Sequence, residues 1–422
     1  MKKQSIINFF KETAALITYC LLINVILATF YLITDFINLF YLIDVGTNIG
    51  YIIGYAVVLC IALSLSLIIE PYKFTKSGDD KFIRNHIKIS AKPNYFSEIP
   101  IYLLSVLCTF MLGLALGTQG PSLYVGILTS LLVYKFIFKT SSMTENEQIL
   151  LGGSVGFSIA FFNPVAGMTL ALERSKLKIS LKFVFKLMFA LIFTFFLQVL
   201  FRGDFVCDLF IRVEQHMNYW LLFVVPGFVL IACLIGVLFK KLCIYISRHI
   251  NHDNKIVKIV LYSLIIIIPV VIKVFNPFLL GGGTITLYWL FSDTTLSLLV
   301  IFGVVRIAFT LFSFETKFSG GLGGSIIIMG AILGRIMAGI LGLIIPLSET
   351  DYFVLTIATA LPFYGITSTE KFTSLALIFS FGNFLYLAAP VTIGWLTMFG
   401  ATELKKFVKK NYKKYKNSAV PA

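Results

Sequence analysis

Apolar positions in this chain fall in runs rather than in stripes, and uninterrupted runs occupy about 13–34, 48–69, 97–117, 181–201, 218–239, 257–274, 293–313 and 321–346. Each approaches or exceeds the ~20 residues that a helix needs to cross the hydrocarbon core of a bilayer. A second set, 121–138, 147–172, 353–366 and 371–399, is apolar but short, or broken by Gly, Pro, Ser or Asn. Such segments exist at membrane depth only where protein or a watery cavity surrounds them. The pattern predicts an all-α, polytopic membrane protein in which spanning helices enclose broken ones.

Composition agrees, since 58% of the 422 residues are hydrophobic, 13% are charged, and mean hydropathy is +0.92. A soluble globule of this length is excluded. The net charge of +15 is concentrated at the ends, with Lys2, Lys3 and Lys11 in front and seven lysines after Gly400. The positive-inside rule then predicts that both termini are cytoplasmic. The lysine-rich tail is expected to meet anionic lipid headgroups rather than nucleic acid. The apolar run behind the basic N-terminus exceeds a secretion signal's core and lacks a small-residue cleavage site, so it is expected to remain as the first helix.

Catalytic and metal chemistry find no support. Cys20, Cys60, Cys108, Cys207, Cys233 and Cys243 have no ligand spacing, and His86, His216, His249 and His252 lie in polar connections. Neither a nucleophilic triad nor a nucleotide-binding loop is present, so an enzyme is not expected, nor a metal or cofactor.

Two glycine-rich punctuations carry the chemistry: Gly117-Thr118-Gln119-Gly120-Pro121, and Gly320-Gly321-Leu322-Gly323-Gly324-Ser325. Each opens a long apolar segment. A helix that begins on glycines at membrane depth leaves its first N–H groups unpaired along its axis, and so makes an anion site without a cationic side chain. Gly120 to Pro164 and Gly324 to Ser368 are both 44 positions, and in each half a second broken segment follows. That layout predicts two inverted-topology repeats of tilted and broken helices. The expected division is an N-terminal cytoplasmic segment with the first helix (1–46), a first membrane repeat (47–210), a second (211–402) and a short basic tail (403–422). The boundary between repeats is set in the polar stretch near 205–217.

These residues resemble the CLC family of chloride channels and anion/proton antiporters. Residues 117–121 are similar to the family's gating motif, with Gln119 at the position of the gating glutamate. Residues 160–167 through Leu172-Glu173, the run Gly281-Gly282-Gly283 with Gly303 and Arg306, and residues 319–329 resemble the segments that follow. Thr75-Lys76-Ser77-Gly78 stands where the family's serine loop is expected, Ser77 lying 42 residues ahead of Gln119 (119 minus 77). The likeness runs over roughly 60–400, as in a short, divergent, prokaryotic-type member. It implies a homodimer with a pore in each subunit, in a bacterial plasma membrane. Anion-binding residues carried over are Ser77, Gly78, Gln119, Gly120, Ser325, Ile326 and Tyr386, the last two groups contributing amides and a hydroxyl.

The departures from the family pattern bear on mechanism. An amide at Gln119 has neither a titratable proton nor a negative charge, so it leaves the outer site open and breaks proton coupling, unless it only caps its neighbours. The inner proton-transfer glutamate corresponds to Arg174, which Lys176 and Lys178 suggest is interfacial. Glu173 remains as an acid there, structural or proton-conducting. Asp79 and Asp80 after the serine loop either oppose anion access or cap a helix that starts at Lys81. Counting back from Pro390 puts Leu385, not Tyr386, at the family's pore tyrosine, with Tyr124 and Tyr364 as substitutes. The second loop lacks the family's phenylalanine and proline, though backbone donors do not need them. With about 20 residues after Gly400, the nucleotide-binding domains of larger members are not expected here.

The expected function is passive passage of chloride or a similar small monovalent anion, without proton coupling. Two alternatives stay open: an antiporter with an unusual proton path, and a transport-dead membrane assembly protein.

Overall fold

The structure is a computed structural model that describes residues 2–42, 49–69, 95–139, 143–175, 179–202, 218–250, 254–292, 294–316, 318–381 and 384–418. Among them are fifteen α-helices and no strand beyond one isolated bridge. The first half contains α1 (Lys2–Leu42), α2 (Ile49–Ile69), α3 (Tyr95–Met111), α4 (Gln119–Leu131), α5 (Glu145–Phe161), α6 (Pro164–Ser175) and α7 (Leu181–Arg202). The second contains α8 (Leu221–His249), α9 (Lys255–Phe275), α10 (Thr284–Leu290), α11 (Leu296–Glu315), α12 (Gly323–Gly342), α13 (Glu349–Ser368), α14 (Lys371–Ala376) and α15 (Phe384–Ser418).

Eight helices are long and apolar enough to cross a bilayer: α1, α2, α4 with its π-helical extension Leu132–Ile137, α7, α8, α9, α11 and α12. Seven coincide with the uninterrupted runs in the sequence. The eighth is α4 and not α3, because α3 stops at Met111 and the chain turns through Gly113, whose φ of 70° suits a residue without Cβ. The interrupting residues of α4 do not break it. Pro121 lies in the first turn, where no N–H is needed, and Gly126 lets a neighbouring helix approach.

Four helices, α4, α5, α12 and α13, form the interior; α4, α5 and α13 are buried over most of their length and α12 over half of it. The most extensive pairings are α4 with α5 and α12 with α13. Small residues set both. A Cβ on Gly126 would lie 2.2 Å from the Gly152 carbonyl oxygen, and one on Gly330 would lie 2.8 Å from the Cα of Ala360. Three of these helices, α4, α5 and α13, are broken segments expected to need protein around them, whereas α12 falls in an uninterrupted run; α7, α8, α9 and α11 present apolar side chains outward.

The two halves follow one plan. Helix ends Met111 and Glu315, helix starts Gln119 and Gly323, and helix starts Glu145 and Glu349 are each separated by 204 positions (315 minus 111, 323 minus 119, 349 minus 145). The offset extends to the caps. Thr144 and Glu147 form a capping box on α5, and Ser348 and Asp351, each 204 positions on, form one on α13. Both helices end on a left-handed residue, Phe162 at φ 51° and Thr369 at φ 71°. The same offset brings the ends of α1 and α2 to within three positions of the ends of α8 and α9. The boundary expected at 205–217 lies outside the described residues.

Three loops are tied together where the repeats meet. Gly117 and Gly321 exchange backbone hydrogen bonds of 2.6 and 2.8 Å in an antiparallel bridge. Since 321 minus 117 is again 204, each partner is the other's counterpart, as a two-fold relation between inverted repeats requires. The Gly281 amide donates to the Gly113 carbonyl at 2.9 Å, and fully buried Arg306 donates to the carbonyls of Leu279 and Gly281. A guanidinium with its donors aimed at these carbonyls fixes the connection between the short 3-10 turn Pro277–Leu279 and α10.

Candidate anion site

Helix α4 begins at Gln119 with Thr118 as its N-cap. The Ser122 amide is the first to bond within the helix, to the Thr118 carbonyl at 3.0 Å, and Pro121 has no N–H. The amides of Gln119 and Gly120 are therefore open. Helix α12 begins at Gly323 with Leu322 as its N-cap, and the Ile326 amide donates to the Leu322 carbonyl at 2.8 Å. Its open amides are those of Gly323, Gly324 and Ser325.

Of the donors expected at Ser325 and Ile326, the Ile326 amide is taken by the helix. The Ser325 amide stays open, while its hydroxyl donates to the Ala115 carbonyl at 2.7 Å.

Absence of side chains lets these starts approach each other. A Cβ on Gly321 would lie 2.3 Å from the Gly120 nitrogen, and one on Gly117 would lie 3.6 Å from the Gly324 nitrogen. Two positive helix ends so close, within the apolar interior, create a potential that favours an anion and repels a cation.

Among the described residues, one side chain enters this space. Gln119 is 9% exposed, its Nε2 donates to the Tyr364 hydroxyl at 2.9 Å, and its Oε1 has no hydrogen-bond partner. That oxygen lies over the start of α12, since a Cβ on Gly323 would come within 1.4 Å of it. Gln119 sits at one helix start and points its acceptor at the other.

Behind Gln119 runs a polar chain that crosses between the repeats. Tyr364 of α13 is buried, and its hydroxyl donates to Glu370 Oε2 at 2.5 Å. Glu370 Oε1 accepts from Arg174 Nη2 of α6 at 2.8 Å, with these two side chains 16% and 20% exposed. Arg174, expected at the interface beside Lys176 and Lys178, is joined to an acid of the other repeat. Lys176 and Lys178 lie outside the described residues. Lys371, next to Glu370, is drawn towards Thr402 and Glu403, the latter at 3.4 Å.

Glu173 does something else. Its carboxylate accepts from the amides of Phe372 and Thr373 at 2.7 and 3.1 Å and from the Thr373 hydroxyl at 2.6 Å, closing the first turn of α14. A carboxylate so held is a cap for α14.

Other expected site residues divide into three groups. Ser77 and Gly78, with Asp79 and Asp80, lie outside the described residues. Tyr386 and Leu385 fall in α15, with side chains outside the described residues. Tyr124 packs its ring 4.4 Å from that of Tyr102 and leaves the hydroxyl contact with Gln119 to Tyr364. The residue missed by the sequence is Glu370. Its signal is weak but present: a lone acid two residues after Ser368, the position that the 44-residue spacing singles out.

A family model for the voltage gated chloride channel matches residues 57–401. The chain is 23% identical over 300 residues to the H(+)/Cl(-) exchange transporter ClcA of Vibrio parahaemolyticus, covering 67% of this chain and 61% of that protein. To the protein of the same description from Vibrio vulnificus it is 24% identical over 321 residues, covering 71% and 65%. It therefore spans less than two thirds of the length of these relatives. Among solved structures it is similar to a slow cyanobacterial Cl-/H+ antiporter, with a TM-score of 0.76, 17% identity and coverage of 95% of this chain and 99% of that one. A CLC-type fluoride/proton antiporter superposes with a TM-score of 0.71 at 15% identity, covering 92% and 96%. At these identities the structural likeness carries the fold.

Proposed function

The chain belongs to the voltage-gated chloride channel family, and from that premise we propose that it passes chloride or a similar small monovalent anion down its gradient without carrying protons. The observation that supports this most is Gln119, whose unpartnered Oε1 occupies the start of α12. An amide there neither charges nor discharges, so an arriving anion has only a neutral acceptor to displace. Backbone donors then replace part of the ion's hydration without forming an ion pair, which leaves the anion free to move on. At the inner side Arg174 is a permanent cation paired with Glu370, and Glu173 is a cap.

The proposal includes a homodimer with one pore per subunit, in a bacterial plasma membrane with both lysine-rich termini on the cytoplasmic side. Purified protein in chloride-loaded liposomes should release chloride with no accompanying proton uptake. A fixed ratio of anions to protons would overturn the uncoupled reading, and no flux at all would favour an assembly role.

A second reading rests on Glu370. It is an acid two hydrogen bonds from Gln119, and the relatives named above are described as exchangers. If Glu370 carried protons, Glu370→Gln would abolish proton movement while chloride flux persisted.

A further inference from the structure

We propose that Glu370 is a positioning residue for the anion site, acting through Tyr364 to fix which end of the Gln119 carboxamide faces the start of α12. This rests on the reading of that start as the place where an anion binds.

The polarity of the chain follows from what each group can donate. A carboxylate with Arg174 on Oε1 offers only acceptors, so the Tyr364 O–H is given to Oε2. The phenol oxygen then has only lone pairs left for Gln119, and the carboxamide must present its N–H₂ to it. Its Oε1 is consequently turned away, onto Gly323, where it lies buried beside open amides. An acceptor is thus held where an anion would sit, by a charge on the opposite repeat.

Glu370→Gln reverses the order. Arg174 can only donate, so it takes the new carboxamide oxygen and leaves the N–H₂ facing Tyr364. The phenol O–H is released to donate to Gln119 Oε1, and the Gln119 N–H₂ swings towards the start of α12. The site gains a donor in place of an acceptor. Tyr364→Phe cuts the relay while leaving the ion pair intact, so Gln119 is freed but not reversed.

The test is chloride titration of purified full-length protein by isothermal calorimetry in four forms: wild type, Glu370→Gln, Tyr364→Phe and the double variant. We expect Glu370→Gln to bind chloride about fivefold more tightly than wild type, the size of one altered hydrogen bond. Tyr364→Phe should tighten it by a smaller factor. In the Tyr364→Phe background, Glu370→Gln should add nothing, because its route to Gln119 is gone. Glu370→Asp, which keeps the charge, should stay near wild type.

Equal effects of Glu370→Gln in both backgrounds would overturn the relay. So would unchanged affinity in Tyr364→Phe, a variant that leaves the ion pair in place and so decides the matter should Glu370→Gln not fold. Wild-type protein that binds no chloride would overturn the site and this inference together, whereas binding with an unresponsive Glu370 would overturn the inference alone.

Discussion

The starts of α4 and α12 are built on one plan 204 positions apart, yet they do opposite things (323 minus 119). The first carries a side chain at its leading position, Gln119, and loses one donor to Pro121. The second carries glycine at the equivalent position and keeps the amides of Gly323, Gly324 and Ser325. Gln119 fits only because Gly323 has no Cβ, so one repeat supplies a cradle and the other supplies what fills it. Symmetry brings two like-charged helix ends together, and the departure from symmetry shapes the proposed anion site between them.

The bridge between the starts is where disruption should cost most. Gly321→Ala places a Cβ 2.3 Å from the Gly120 nitrogen, in backbone that cannot yield. Overpacking of this kind costs about 3 kcal/mol, so we expect loss of flux together with a lower midpoint of unfolding in detergent. Normal flux would mean that the two starts need not touch.

Gly323→Ala is aimed at the asymmetry itself. Its Cβ collides with a movable side chain rather than with backbone, so flux should fall about tenfold, the scale of one or two kcal/mol of strain, with little loss of fold. Removing the obstacle in a Gln119→Gly, Gly323→Ala double variant should restore flux. Additive losses in liposome assays would show that the two side chains do not share the space.

Gln119→Glu replaces the neutral acceptor with a charged one. The carboxylate form competes with the anion and predominates above its pKa, so flux should be several-fold slower at high pH and recover as pH falls and the group is neutralised. Tight proton coupling should not appear, since Arg174 and Glu173 stay as they are. pH-independent flux at the wild-type rate would remove Gln119 from the pathway.

Thr144→Ala and Ser348→Ala offer the smallest effect and a control. Each breaks one capping box at an equivalent position. Each should cost about 1 kcal/mol of stability, measured by denaturant unfolding, without altering flux. A large flux defect in either would mean that the second helices of the repeats do more than support the first.

Much of this was legible in the chain. Glycines before apolar runs located both helix starts, and the paired 44-residue spacings agree with the 204-position offset between the halves, because both depend on backbone geometry and hydrophobic period. The span of α4 was not legible, since its Pro121 and Gly126 read as breaks until their places in the first turn and at the α5 contact are known. Nor was the role of Glu370. Arg174 and Glu370 are 196 positions apart, and no local pattern announces a pair made by two repeats folding against each other. Glu173 beside Arg174 drew attention as the acid at that place, but its carboxylate is fixed by amides from α14, also about two hundred positions away.

The most direct measurement is an anomalous-difference map from crystals of the full chain soaked in bromide. Density beside the amides of Gly323, Gly324 and Ser325, with the Gln119 side chain displaced from Gly323, is the expected result. A map with bromide bound elsewhere along the membrane interior, and Gln119 still resting on Gly323, would contradict it.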